Sequence, residues 1–166
     1  MDLDSALTDK PADGASATDI LRADHTEVQR LFGEYERVAH DAHARAAVAQ
    51  SLCMQLELHD TIEREIFYPA LRECDSDFAD EALAAHDDIA VAAERVRLGA
   101  DARQPIDTAV AELQALVETH VRDEEQRFFR RAEERAADQL LALGRKIVRR
   151  KEELTRSTTS FEGPAT

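Results

Sequence analysis

The chain has 166 residues, with 35 acidic side chains against 21 basic ones and a formal net charge of −14. That length suits one domain with tails, and 43% hydrophobic residues with only 5 Gly and 4 Pro describe long helices, not a disordered, collagen-like or β-sandwich chain. The acidic balance repels phosphate backbones and anionic lipid, so no nucleic acid is expected as a partner; the basic stretch Arg145, Lys146, Arg149, Arg150, Lys151 is short and runs straight into Glu152 and Glu153.

Residues 1–17 and 155–166 carry no periodicity and are expected as flexible tails. The first helix is predicted from Leu21, His25, Val28, Phe32 and Tyr35, which share one stripe, with Ser16 or Thr18 as its N-cap. A second is predicted from about Ala42, with Leu52, Leu56, His59, Glu63 and Ile66 inward; Pro69 should end it and bias Tyr68 away from helical angles. The third starts near Phe78, turns Ala82, His86, Ile89, Ala93 and Val96 inward, and should close at Gly99. The fourth has Pro105 in its first turn and Ile106, Val110, Leu113, Val117, His120, Glu124 and Phe128 on its stripe. Leu140, Leu143, Ile147 and Leu154 predict either its continuation or a short fifth helix containing Gly144. Amphipathic helices joined by short loops make an all-α, antiparallel up-down-up-down four-helix bundle over residues 18–154, with a C-terminal helical extension, the economical architecture.

No apolar run approaches the ~20 residues that cross a bilayer, and the acidic Met1-Asp2-Leu3-Asp4 start precedes no hydrophobic signal segment, so no membrane contact and a cytoplasmic location are expected. Cys53 and Cys74 lack metal-ligand spacing and read as reduced structural thiols. The acidic charge favours a monomer or a weak homo-oligomer.

Ionisable residues recur on the inward stripes at an offset of 61 residues: His25 pairs with His86, His59 with His120, Glu63 with Glu124, and Phe67 with Phe128. In each half the second helix carries His and Glu at i and i+4, one turn apart on one face (His59/Glu63 and His120/Glu124), while the first helix adds a single His. A lone His on an apolar stripe is ordinarily a core residue, and a lone His/Glu pair ordinarily a surface pair. Four imidazoles and two carboxylates repeated in register are different: buried unpaired they would be costly, and together they can hold two metals. By ligand type alone, Fe, Zn or Mn would suit. His40 and His43 fall in the predicted loop between the first two helices and read as solvated.

Over residues 18–150 the chain resembles the hemerythrin-like, or HHE cation-binding, family. The resemblance rests on Asp24-His25, His59-x-x-x-Glu63-Arg-Glu65-Ile-Phe-Tyr68-Pro69, His86, His120-x-x-x-Glu124-Glu125-Gln-Arg-Phe128 and the later Leu143-Gly144-Arg-Lys-Ile-Val. Ferritin-like proteins fit less well, since their helices bring Glu-x-x-His rather than His-x-x-x-Glu. The resemblance implies a cofactor of two non-haem Fe ions, oxo- or hydroxo-bridged, with Glu63 and Glu124 bridging, His25 and His59 on one iron, and His86 and His120 on the other. Oxygen carriers of the family have a fifth His where this chain has Ala90. A coordination position can then stay open on each iron, so the expected partner is a small ligand (oxygen, nitric oxide or peroxide), bound for sensing or stress response.

The competing expectations are a di-iron enzyme that decomposes peroxide or acts as a ferroxidase, an iron-centre repair protein, and an interaction protein whose metal locks the fold. The repair proteins carry a cysteine-bearing N-terminal segment, whereas residues 1–17 contain no Cys. Asp60 and Glu94 are further candidate ligands, read as solvated; Tyr35 and Tyr68 are read as core rings whose hydroxyls reach water. Phe32, Phe67 and Phe128 are expected to form a dry shell around the centre.

Overall fold

A computed structural model describes residues 14–102 and 105–159; the outer parts of both expected tails lie outside the described residues. It is an all-α bundle, and no strand occurs among the described residues. Helix α1 is Ala17–Arg37. Ser16 is its N-cap: its Oγ accepts the Asp19 N–H at 3.2 Å while the Asp19 carboxylate accepts the Ser16 N–H, a reciprocal box that satisfies two donors.

Helix α2 starts at Ala42, where the Asp41 carboxylate accepts the His43 and Ala44 N–H groups, so His43 sits in the first turn of a helix and not in a loop. It runs as an α-helix over Ala42–Ile62, widens into a π-helical turn over Glu63–Phe67, and resumes as Tyr68–Leu71 before a 3-10 turn, Arg72–Cys74. Pro69 therefore does not end it, and Tyr68 keeps helical angles (φ −63°, ψ −45°). The Tyr68 N–H bonds back to the Glu63 carbonyl, five residues earlier. Pro69 follows directly, at the start of the renewed α segment, where its missing N–H and its fixed φ cost least.

Helix α3 is Ser76–Asp101, capped by Asp75, and it passes through Gly99 without closing there. Glycine is required at that point by a close approach: a Cβ would lie 2.6 Å from Ile106 Cγ2. Helix α4 comprises Asp107–Asp123, a π-helical turn over Glu124–Phe129, and Arg130–Arg135. Ile106 is its N-cap, so Pro105 precedes the helix instead of occupying its first turn. Helix α5, Ala137–Thr159, is a separate helix of 23 residues and passes the expected boundary at Leu154. At Gly144 it crosses the start of α1 so closely that a Cβ would lie 2.2 Å from the Ala15 carbonyl oxygen.

Helices α1 with α2, α2 with α3, and α3 with α4 pack against one another, and α5 lies across α1 and α2. The apolar interior falls into two clusters. One gathers Leu21, Ile62, Phe67, Tyr68, Phe78, Phe128, Phe129 and the inward face of α5; the other gathers Val28, Phe32, Tyr35, Leu52, Leu56, Ile89, Val96, Leu113 and Val117. Along every one of α1–α4 the ionisable inward residues stand where one cluster gives way to the other.

Candidate metal centre

All six residues singled out by the repeat meet in that layer. His25 comes from α1, His59 and Glu63 from α2, His86 from α3, and His120 and Glu124 from α4; all are buried, the two glutamates completely. Both glutamates open the π-helical turns of their helices. Such turns shift the register of a helix by one residue and recur at functional sites. Here each turn lets a His/Glu pair point inward above it while Phe67 or Phe128, in the same turn, packs beneath.

Glu63 Oε2 is the hub of the layer. It lies 2.8 Å from His86 Nε2, 3.2 Å from His59 Nε2 and 4.0 Å from His120 Nε2. Glu124 Oε2 lies 3.4 Å from His25 Nε2 and 3.9 Å from His120 Nε2. Ligand atoms of His25, His59, Glu63 and Glu124 fall within 4.8 Å of one another, and those of Glu63, His86 and His120 do the same. Two metal-sized groups thus share Glu63.

Behind three of the imidazoles stands a carboxylate at Nδ1: Glu125 at 2.7 Å from His25, Asp60 at 2.7 Å from His86, and Asp24 at 3.6 Å from His59, a charge contact longer than a hydrogen bond. Lys151 of α5 pairs with Asp24. Such partners fix ring orientation and leave Nε2 as the free ligand atom. Asp60 is therefore not the solvated residue that its i+1 position predicts, because it points at the neighbouring helix and not along its own. Glu94 is solvated as expected and pairs with Arg97.

The tyrosines also depart from expectation. The Tyr68 ring is buried and its hydroxyl donates to Glu124 Oε1 at 2.6 Å, with Glu63 Oε2 and His86 Nε2 each 3.3 Å away. Tyr35 lies in the other cluster, donating to Asp107 beneath the Arg45 guanidinium. Phe32 belongs to that cluster too, whereas Phe67 and Phe128 pack below the centre. Phe129 lies on no predicted stripe, yet its ring stacks on His25 at 5.7 Å and 4°. The 61-residue offset pairs Phe129 with Tyr68, so the signal was present, and the two halves differ there by one hydroxyl. Ala90, which replaces the expected fifth His, is exposed.

The electrostatics are those of a cluster held together by opposite charges. Burial works against charge on Glu63, yet the His59 and His86 imidazoles outweigh it and hold the carboxyl well below the usual range. Glu124 is pushed up by burial and by the Glu63 charge. Burial opposes protonation of His86, but Asp60 and Glu63 raise it to about 9; burial and the charge of His86 lower His120 to about 3. Burial, reinforced by both glutamates, keeps Tyr68 protonated and hence a donor.

Without an ion the layer is under-satisfied. Glu63 Oε1, Glu124 Oε2 and His120 Nε2 are buried with no hydrogen-bond partner, an arrangement that costs about 1–3 kcal/mol per group. Imidazole nitrogens and carboxylate oxygens are the donors that borderline divalent metals prefer, so these residues fit a metal. Beside them, on the Val28 side, is a cavity of about 20 Å³ bounded by the four imidazoles and by Val28, Leu56, Ile89, Val117 and Val121. That is room for one water-sized molecule.

The model of the hemerythrin HHE cation-binding domain matches residues 16–132. The chain belongs to the hemerythrin HHE cation-binding family. Comparison with the curated proteins and with the solved structures returns no match. The HHE match ends within α4, so α5, which supplies Lys151 to Asp24, lies beyond it. No helix among the described residues is long and apolar enough to cross a membrane.

Proposed function

We propose that this HHE domain is a non-haem di-iron protein that binds a small ligand at an open coordination position, for sensing or stress response. His25 and His59 would hold one iron, His86 and His120 the other, and Glu63 and Glu124 would bridge them. The observation that carries the reading is the sharing of Glu63 by two ligand groups, with buried orphan atoms on both carboxylates. When bound, the iron pair supplies redox chemistry and open positions for a diatomic or peroxide.

The chain's own residues do the rest. The apolar wall of the small cavity excludes bulk water and admits only a molecule of a few atoms. Glu125 and Asp60 orient their imidazoles by hydrogen-bond-length contacts, and Asp24 faces His59 as a charge. Tyr68 holds a proton at its hydroxyl, 2.6 Å from Glu124 Oε1. Two buried free thiols fit the expected cytoplasm.

Metal content of protein from iron-supplied cells, with absorption spectra before and after oxygen, nitric oxide or peroxide, tests the proposal. Two irons per chain and a ligand-dependent visible band are expected; one zinc, or no metal with the helices intact, would refute it. Tyr68 also favours a second reading, a peroxide-decomposing enzyme, since a phenol proton beside the centre is the polar partner that turnover needs. Stopped-flow peroxide decay over many turnovers would select it.

A further inference from the structure

The two halves of the bundle are covered differently. Across α1 and α2 lies α5, whose Lys151 and Arg150 pair with Asp24 and Glu65. On the corresponding face of the second half, between α3 and α4, there is an open groove of about 530 Å³. Its rim carries Glu81, Asp88 and Asp123; the one cation lining it, Arg127, is engaged by Asp75 at 2.8 Å and Glu81 at 3.1 Å. Its lining includes His120, which also lines the inner cavity. The groove and the inner cavity meet at that imidazole.

That imidazole packs edge-on against His86 at 4.4 Å and is the one of the four without a hydrogen bond among the described residues. The 61-residue offset relates Asp24, which faces His59 Nδ1, to Ala85. Ala85 lines the groove and ends in a methyl group, so no carboxylate backs His120 among the described residues. His120 Nε2 is also without a hydrogen-bond partner, and the side chain is 4% exposed. Rotation of this side chain would therefore break no hydrogen bond, and it would open the inner cavity to the groove.

We propose that divalent metal ions reach and leave the centre through the α3/α4 groove, with His120 as its gate and the carboxylate rim as the attractor; the inference rests on the cluster holding metal. Asp123 is paired with Arg122 at 3.0 Å and Glu81 with Arg127, yet three carboxylates against one lining cation leave the rim negative, and a negative rim concentrates cations and raises their association rate. Its charge is wrong for an anionic reactant.

The test uses the full chain, freed of metal, with Co(II) as the probe. Ala85→Trp, which fills the groove, should slow both Co(II) uptake and release to a chelator, on the order of tenfold each, with the affinity unchanged. Asp88→Asn with Asp123→Asn should slow uptake several-fold, leave release alone, and flatten its dependence on ionic strength. Val91→Trp, on an exposed position of α3, should change neither rate.

Unchanged rates in a folded Ala85→Trp chain, or unchanged uptake in the folded Asp88→Asn/Asp123→Asn chain, would overturn the route while Co(II) still binds. Absence of Co(II) binding by the unmodified chain would overturn the metal reading itself, and the route with it.

Discussion

Asp60 offers the sharpest check on how the centre is held. Its Oδ1 lies 2.7 Å from His86 Nδ1 and accepts from Arg64 Nε at 2.6 Å, so it reaches from α2 to fix an imidazole on α3. Removing a carboxylate behind a metal-bound imidazole ordinarily costs 10–100-fold in affinity, about 1.4–2.7 kcal/mol. His86 belongs to only one of the two ligand groups, so Asp60→Ala should weaken one of two metal-binding steps by that factor and spare the other. Asp60→Asn keeps an acceptor and should lose less. Titration of the metal-free chain against a competing chelator resolves the two steps, with His40→Ala as a control that changes neither. If the fold stays intact and both steps are unchanged, or both weaken equally, Asp60 does not position His86.

Glu63→Ala and Glu124→Ala should each leave at most one metal per chain, because both buried carboxylates would bridge the pair; two metals retained in both variants would refute the bridging assignment. Metal uptake at pH 7.5 should release protons, since His86 stays protonated up to about 9 in the metal-free chain while His120 is already neutral. The sign for the metal-free fold follows: the raised His86 stabilises fully below its ordinary 6.5 and that contribution is lost as pH rises through about 9, whereas the lowered His120 destabilises as pH falls from 6.5 toward about 3. Calorimetry in buffers of different ionisation enthalpy reads the proton count, and zero would contradict it. Gly144→Ala gains about 1 kcal/mol of helix propensity but drives a Cβ to 2.2 Å from the Ala15 carbonyl oxygen, so thermal unfolding should show a net loss. Gly33→Ala, in α1 with nothing within 4 Å of the added methyl, should instead stabilise, by up to about 1 kcal/mol.

The features legible in the linear chain are those with a short-range or repeated signature. Apolar stripes located the four bundle helices, and the i, i+4 pairs with the 61-residue offset picked out the six residues that meet in the buried layer. Helical periodicity is a local property, and a ligand set repeated in register survives in the sequence as a spacing. Breakers misled for the opposite reason. Pro69 and Gly99 stop isolated helices, but a π-helical turn accommodates the first and a close approach to Ile106 requires the second; neither condition is local. Gly144 likewise records the crossing of α5 by the start of α1, a contact between residues more than a hundred positions apart. What stands behind each imidazole was equally hidden. Asp60 serves His86, Glu125 serves His25, Asp24 faces His59, and Tyr68 reaches Glu124, each a contact between different helices. Such pairings depend on how neighbouring helices are rotated and staggered, to within a fraction of a turn. Packing of the assembled bundle sets those angles, and one-dimensional spacing does not encode them.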